Sequence, residues 1–333
     1  MRKIISKVIL CVGCFFIIYG MAFNQELLIS PEMHAVLDAE LSKPLRVYSL
    51  DLEEGRRIDE AFRDWVSGSM DLEKAQRRES DRFKDRVTYL QEMDQNIPRF
   101  LIEGFEQRGL ENTRPIKIYY KRGPNWFSFR KLLDIEAGST IERERAIELV
   151  RDFLLRNNFV RVTEFDTFGE IQVPELRRNY GSDPEFPGKV VLMMQGVKFQ
   201  RKYMGSPVIN SRISVDFHPD TEEILGFKHH NWTPVREGTG TPIPQELYKG
   251  PEDIEDNLRE KIKKYCGPSE RTEIGNIASA WFQTKTELIP ILACEIRKLE
   301  QEDIYIEYIN LAGSDDVFYP PRKLGVEPEV APK

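Results

Sequence analysis

Residues Arg201–Phe227 read RKYMGSPVINSRISVDFHPDTEEILGF. Two corner sequences, MGSP at Met204 and HPDTEE at His218, bracket a run of alternating polarity. Ile213, Val215 and Phe217 fall on one side of that run, and Arg212, Ser214 and Asp216 on the other. Period-two alternation marks a strand with one buried face. Gly and Pro among small polar residues mark the turns. The spacing predicts antiparallel strands joined by hairpins, with one face packed and one face wet.

Neighbouring runs extend the pattern. VVLMMQ from Val190, VKFQRKY from Val197 and EILGFKHHNW from Glu223 all read as strands. Upstream lies STIERERAIELVRDFLLRNNF, starting at Ser139. Ser139 and Glu142 have the spacing of a capping box. Ala146, Ile147, Val150, Phe153 and Leu154 form one helical stripe, and Asn157-Asn158 is a stop signal. Downstream, REGTGTPIP (Arg236–Pro244) reads as a linker, and then the plan repeats. GPEDIEDNLREKIKKYCG puts Pro251 at a helix start and Gly267 past its end, with Ile254, Leu258, Ile262 and Tyr265 as the stripe. ASAWFQTK, ELIPILACEIRKL and IYIEYINLAG follow as strands. Residues 139–236 and 245–314 therefore read as two successive α+β units, each a helix on one face of an antiparallel sheet. Residues 315–333 form a Pro-rich tail.

Residues 23–135 read as a mainly helical region ending in a hairpin. IDEAFRDWVSGSMDLEKAQRRESDRFKDRVTYLQEM is rich in helix formers. Phe62, Trp65 and Val66 suit one helical face, and Phe83, Val87, Leu90 and Met93 another. Pro98 and Gly109 bracket PRFLIEGFEQRGL as a short helix. PIKIYYKRGPNWFSFRKL reads as two strands around Gly123-Pro124-Asn125.

The chain has 333 residues, 31% charged and 40% hydrophobic, with a net charge of −7. An acidic body of this size is globular and unsuited to nucleic acid, which requires a basic face. The start, MRKIISKVILCVGCFFIIYGMAF, is basic and then apolar. Residues 1–22 are read as a signal peptide cut near Gly20-Met21-Ala22, or as an uncleaved anchor, or as a lipid-modified segment at Cys14. Each alternative places the body outside the cytoplasm: secreted, periplasmic or held at the cell envelope. Membrane contact is expected only through this segment.

Cys266 and Cys294 are the two cysteines of the body. They are a possible disulfide in an oxidising compartment, or else two buried apolar thiols. Catalytic motifs are missing: there is no H-E-x-x-H, no G-x-S-x-G and no phosphate-binding loop. Asp216, His218 and Asp220 could share one end of a hairpin as a metal site, but a wet strand face running into a polar turn explains them as well. No catalytic residue, metal or cofactor is expected.

The segment KFQRKYMGSPVINSRISVDFHPDTEEILGFKHHNW resembles the PepSY-like and propeptide-like group of exported bacterial domains. The match lies in the aromatic-centred strand, the Tyr203-x-Gly205-x-Pro207-Val208 corner, the Asn210-Ser211 pair and the alternating strand that follows. PDTEE replaces the usual Asp-Gly turn. The second unit resembles a more diverged copy. The resemblance implies two tandem cystatin-like units, each one helix wrapped by a curved antiparallel sheet. It implies binding rather than catalysis: a regulator, inhibitor or chaperone of another exported or envelope protein, including a peptidase. Tyr203, Gly205, Pro207 and Val208 are then candidates for a partner-binding strand edge. An envelope scaffold, self-associating through the helical N-terminal region, is the alternative.

Overall fold

The computed structural model describes residues 27–69, 75–77, 101–107, 116–123, 126–132, 136–179, 190–264, 266, 270–300, 303–313 and 322–324. The N-terminal segment, the Phe83–Met93 stripe and most of the tail lie outside the described residues. In chain order the elements are β1 (Leu27–Leu28), α1 (Pro31–Leu41), β2 (Arg46–Ser49), α2 (Leu52–Ser69), β3 (Ala75–Arg77), β4 (Leu101–Gln107), β5 (Ile116–Gly123) and β6 (Trp126–Leu132). Then follow α3 (Arg143–Arg156), β7 (Phe168–Gln172), β8 (Glu175–Asn179), β9 (Val190–Tyr203), β10 (Ser206–Phe217), β11 (Ile224–His230) and β12 (Thr241–Pro242). The chain continues with α4 (Pro251–Ile262), β13 (Thr272–Gln283), β14 (Glu287–Lys298), β15 (Ile304–Asn310) and β16 (Arg322–Leu324). The protein is mixed α+β. Among the described residues no helix is long and apolar enough to cross a membrane.

Two compact units emerge. Unit 1 comprises 1–46, 242–280 and 290–333; unit 2 comprises 47–241 and 281–289. These units do not follow the boundaries read from sequence. Among the described residues, the N-terminal third supplies one helix and strands to unit 2 and a strand and another helix to unit 1.

In unit 1, β14 and β15 pair antiparallel, from Ile291↔Asn310 to Arg297↔Ile304. β1 adds in parallel to β13 through Leu27↔Thr272 and Leu28↔Glu273. The α4 stripe of Ile254, Leu258 and Ile262 is buried against Ile277, Leu292 and Ile309. Leu37 of α1 joins the same core. α1 begins where Ser30 Oγ accepts from Met33 N at 3.2 Å, with Pro31 next. α4 begins where Gly250 N donates to Asp253 Oδ2 at 2.9 Å.

In unit 2, an antiparallel sheet runs β9, β10, β11, β6, β5, β4, β3, with β7 and β8 successively along the outer edge of β9. α2 and α3 share its core. Ile58 and Phe62 from α2 meet Ala146, Val150, Phe153 and Leu154 from α3 over Val197, Phe199, Ile213, Val215, Phe217 and Phe227. The inward residues of β10 are those the alternation assigned. The opposite face is drier than expected: Ser214 is buried and Asp216 is half-buried.

Two local expectations are corrected. The segment bracketed by Pro98 and Gly109 contains a strand, β4, paired over seven residues with β5 from Leu101↔Arg122 to Gln107↔Ile116. The cross-strand ladder outweighs the helix punctuation at its ends. The Ser139–Glu142 capping box does not form, and α3 starts at Arg143 with no side-chain cap. The cause is Gln195 on β9. Its Oε1 accepts from Ile141 N and its Nε2 donates to Ile141 O, each at 3.0 Å. That reciprocal pair holds the chain extended until Glu142. The helix ends as expected, with Asn158 at φ +56° and Asn157 Nδ2 on Phe153 O at 2.8 Å.

Asp216 lies across two glycines. It is registered between Gly196 of β9 and Gly226 of β11. A Cβ on Gly226 would meet Asp216 Oδ2 at 2.7 Å and Asp216 Cβ at 3.1 Å. Gly226→Ala is therefore expected to destabilise unit 2 by ~1–3 kcal/mol through overpacking. Urea denaturation checks this, and an unchanged midpoint contradicts it.

Candidate functional site

The corner expected from sequence is the tip of the β9–β10 hairpin. Tyr203 and Ser206 pair across it. Met204 (φ +48°) and Gly205 (φ +86°) form the two-residue loop. Two positive φ angles define the hairpin turn that matches strand twist, which explains the Gly. Met204 is 71% exposed, and Gly205 and Pro207 are also exposed.

Beyond the tip, β10 slips in register against β9 between Pro207 and Arg212. Gln200 fills the irregularity, its Nε2 donating to Val208 O at 2.5 Å and Ser211 O at 2.9 Å. Val208 turns away to pair in parallel with Trp281. It is fully buried with Leu50 and Leu288. Val208 is thus a correction to the expected open edge: a segment of the same chain already covers it. Tyr203, Gly205 and Pro207 remain at the surface corner.

The covering segment, Trp281–Ile289, is separated by about 70 residues of chain from β10, and side-chain amides hold it. Asn210 Oδ1 accepts from Gln283 N at 2.9 Å, and Asn210 Nδ2 donates to Gln283 O at 2.8 Å. The Asn side chain thus imitates one residue of a β-ladder. Arg201, 2% exposed, donates from Nη1 to Gln283 Oε1 at 2.8 Å and to Thr233 O at 2.9 Å. Burial pulls Arg201 down to about 10, so it stays a cation at neutral pH. Its guanidinium lies 5.8 Å over the buried Trp232 ring. Glu164 is the carboxylate that acts on it electrostatically; burial raises the pKa of that group.

An aromatic trio results at the corner. The rings of Tyr48, Tyr203 and Trp281 meet edge-on at 5.0–5.5 Å. Trp281 Nε1 donates to Tyr203 O at 2.9 Å, and Tyr48 Oη donates to Met204 Sδ at 3.2 Å. All three rings are half-buried. Tyr203 was among the candidates read from sequence; Tyr48, Met204 and Trp281 were not. They carry no shared motif, and only the Asn210–Gln283 clamp brings Trp281 there.

A charged depression of about 620 Å³ also lies in unit 2, lined by Asp51, Glu54, Arg57 and Arg161 among others. Glu54 is 5% exposed and receives two guanidinium forks. Arg57 donates at 2.8 and 2.5 Å, and Arg161 lies at 2.9 and 2.7 Å. The Arg57 hydrogen bonds, then those of Arg161, hold the Glu54 carboxyl down to about 2 despite its burial. A carboxylate so occupied is an ion-pair hub with no proton to give.

The remaining sequence candidates are dispersed. Asp220 Oδ2 accepts from Gly138 N at 2.7 Å, Asp216 lies on its glycines, and His218 is buried. Among the described residues no group of three or more His, Cys, Asp or Glu is placed to hold a metal. Cys266 and Cys294 are not joined in a disulfide; both are free, buried thiols in the unit 1 core. Burial pushes them up to about 11 and about 12, which keeps them protonated and weakly nucleophilic.

No family model matches the chain, and no curated protein matches it either. A solved structure of the Bacillus megaterium YpeB C-terminal domain is similar at 12% identity and a TM-score of 0.25, over 74% of this chain and 99% of that one.

Asn210→Ala removes both bonds to Gln283 and strands two buried backbone groups. It is expected to cost ~2–4 kcal/mol of unit 2 stability in urea unfolding. Acid gives a second check. Glu54 titrates near 4.5 when unfolded and near 2 when folded. Its contribution is fully present above pH 4.5 and is lost as pH falls toward 2. Glu54→Gln is expected to lower stability at pH 7 and to flatten the acid limb below pH 4.5 in the same titration.

Proposed function

We propose that this chain is a non-enzymatic extracytoplasmic binding protein that acts on another exported or envelope protein, a peptidase being one candidate target. The observation that carries the reading is the β9–β10 corner. An exposed Met204 stands on a rigid two-residue turn in front of the half-buried Tyr48, Tyr203 and Trp281. Tyr, Trp and Met are the residues enriched where proteins bind proteins. Rings already locked by one another and by backbone lose little entropy on binding.

Further support comes from where the perturbed titratable groups sit. His229, Arg201 and Cys294 are shifted by burial within packed cores, and Glu54, which lines the charged depression, is held by two guanidinium groups. Catalytic groups need instead to meet a substrate in a cleft. We further propose that α3 with β7–β11, and α4 with β13–β15, are two elaborated copies of a PepSY-like, cystatin-like plan. In this reading the first copy carries the binding corner, and the second lends it Trp281.

The test is affinity capture from the native envelope fraction with brief cross-linking, comparing the natural chain with Met204→Asp. Met204 is exposed, so the substitution leaves folding intact. A protein retained by the natural chain and reduced at least tenfold by Met204→Asp supports the reading. An identical set of captured proteins from both chains contradicts it.

A further inference from the structure

His229 of β11 is sealed in the core of unit 2. Its ring stacks on Phe127 of β6 at 4.5 Å, with 9° between the planes, and meets the edge of Phe227 at 6.5 Å. Those two rings continue into a cluster with Phe62, Phe153 and Phe159. Neither Nδ1 nor Nε2 of His229 has a hydrogen-bond partner. An imidazolium in that place would carry two unpartnered N–H groups against aromatic faces, at high desolvation cost.

The charges that face this region make protonation harder. Arg201 of β9 acts on His229 as a like charge. His230, next along β11, faces Arg212 of β10 and Lys228 of β11. Glu164, from the turn after α3, acts on Arg201 and is buried itself. Burial, reinforced by these cations, holds His229 down to about 3 and His230 to about 2.

We propose that unit 2 contains an acid-triggered release centred on His229, in which mild acidification opens the β6–β11 core because the imidazole can take a proton only once that core has opened. An unfolded imidazole titrates near 6.5. The folded state is therefore favoured fully above pH 6.5 and loses ground as pH falls. Each such histidine raises the ratio of open to closed molecules by up to tenfold per pH unit. Glu164 works in the opposite sense, because a carboxyl with a raised pKa gains its proton first in the folded state. Glu54 does not enter until pH drops below 4.5. Between pH 6.5 and 5 the histidines dominate. The Tyr203 corner hangs on Arg201, so release of this core also dissolves the proposed binding surface.

The experiment uses the full chain. Its open-to-closed ratio is measured by urea unfolding between pH 7.5 and 5.0 and compared with His229→Phe, which keeps the ring stack and removes the titration. The variant is expected to fold at pH 7.5 and to show a pH dependence weaker by up to tenfold per pH unit below 6.5. NMR of the His229 imidazole in the natural folded chain is a second readout that does not need the variant. The ring is expected to stay neutral down to pH 5. Equal pH dependence of the two chains, or a folded imidazole that titrates near 6.5, overturns the proposal.

Discussion

A single buried guanidinium organises unit 2. Arg201 follows the strand alternation of β9, and that places its charge under the sheet rather than in water. A cation at 2% exposure needs hydrogen-bond acceptors, and Arg201 finds two at Nη1 while its Nε has no partner. Thr233 O and Gln283 Oε1 meet Nη1. Gln283 in turn is fixed by the reciprocal bonds to Asn210. Through these contacts the tip of the β13–β14 hairpin becomes part of unit 2, and Trp281 arrives beside Val208 and Tyr203. The aromatic corner is a consequence of where one charge had to find its partners.

The same logic recurs elsewhere in the unit. Gln195 holds Ile141 extended by two amide bonds, and that delays the start of α3. Glu54 gathers Arg57 and Arg161 on one carboxylate and so ties α2 to the chain after α3. Each device uses a buried polar side chain that bonds to a segment distant in sequence, in a setting where an unmet group costs ~1–3 kcal/mol. Apolar packing supplies most of the stability; these polar contacts fix which segments lie against which. His229 is a buried imidazole without such partners, and that is what makes it responsive to acid.

Much of the sheet was legible in the sequence. The β9–β10 and β10–β11 corners, the β5–β6 hairpin and the stripes of α3 and α4 all follow from local periodicity and turn chemistry. What was not legible depends on distant partners. β4 carries helix punctuation at both ends and becomes a strand because β5 pairs with it. Arg201 shares the alternation of Val197 and Phe199, but its partners Thr233 and Gln283 are not legible locally. Glu54 and Arg57 have helical i,i+3 spacing, but the second guanidinium, Arg161, comes from about 100 residues on. Of the candidate corner, Gly205 and Pro207 are exposed and Tyr203 is half-buried. Val208 was misread because its neighbour Trp281 comes from another part of the chain.

The Arg201–Gln283–Asn210 clamp makes the Trp281–Ile289 segment integral to unit 2. Native-state hydrogen exchange of the Gln283 amide tests it most directly, because that N–H donates to Asn210 Oδ1. With the clamp in place, this amide exchanges as slowly as those of the β10–β11 ladder, and both follow the global stability of unit 2 as urea is added. Fast exchange of Gln283 that ignores urea while the ladder stays protected would contradict it.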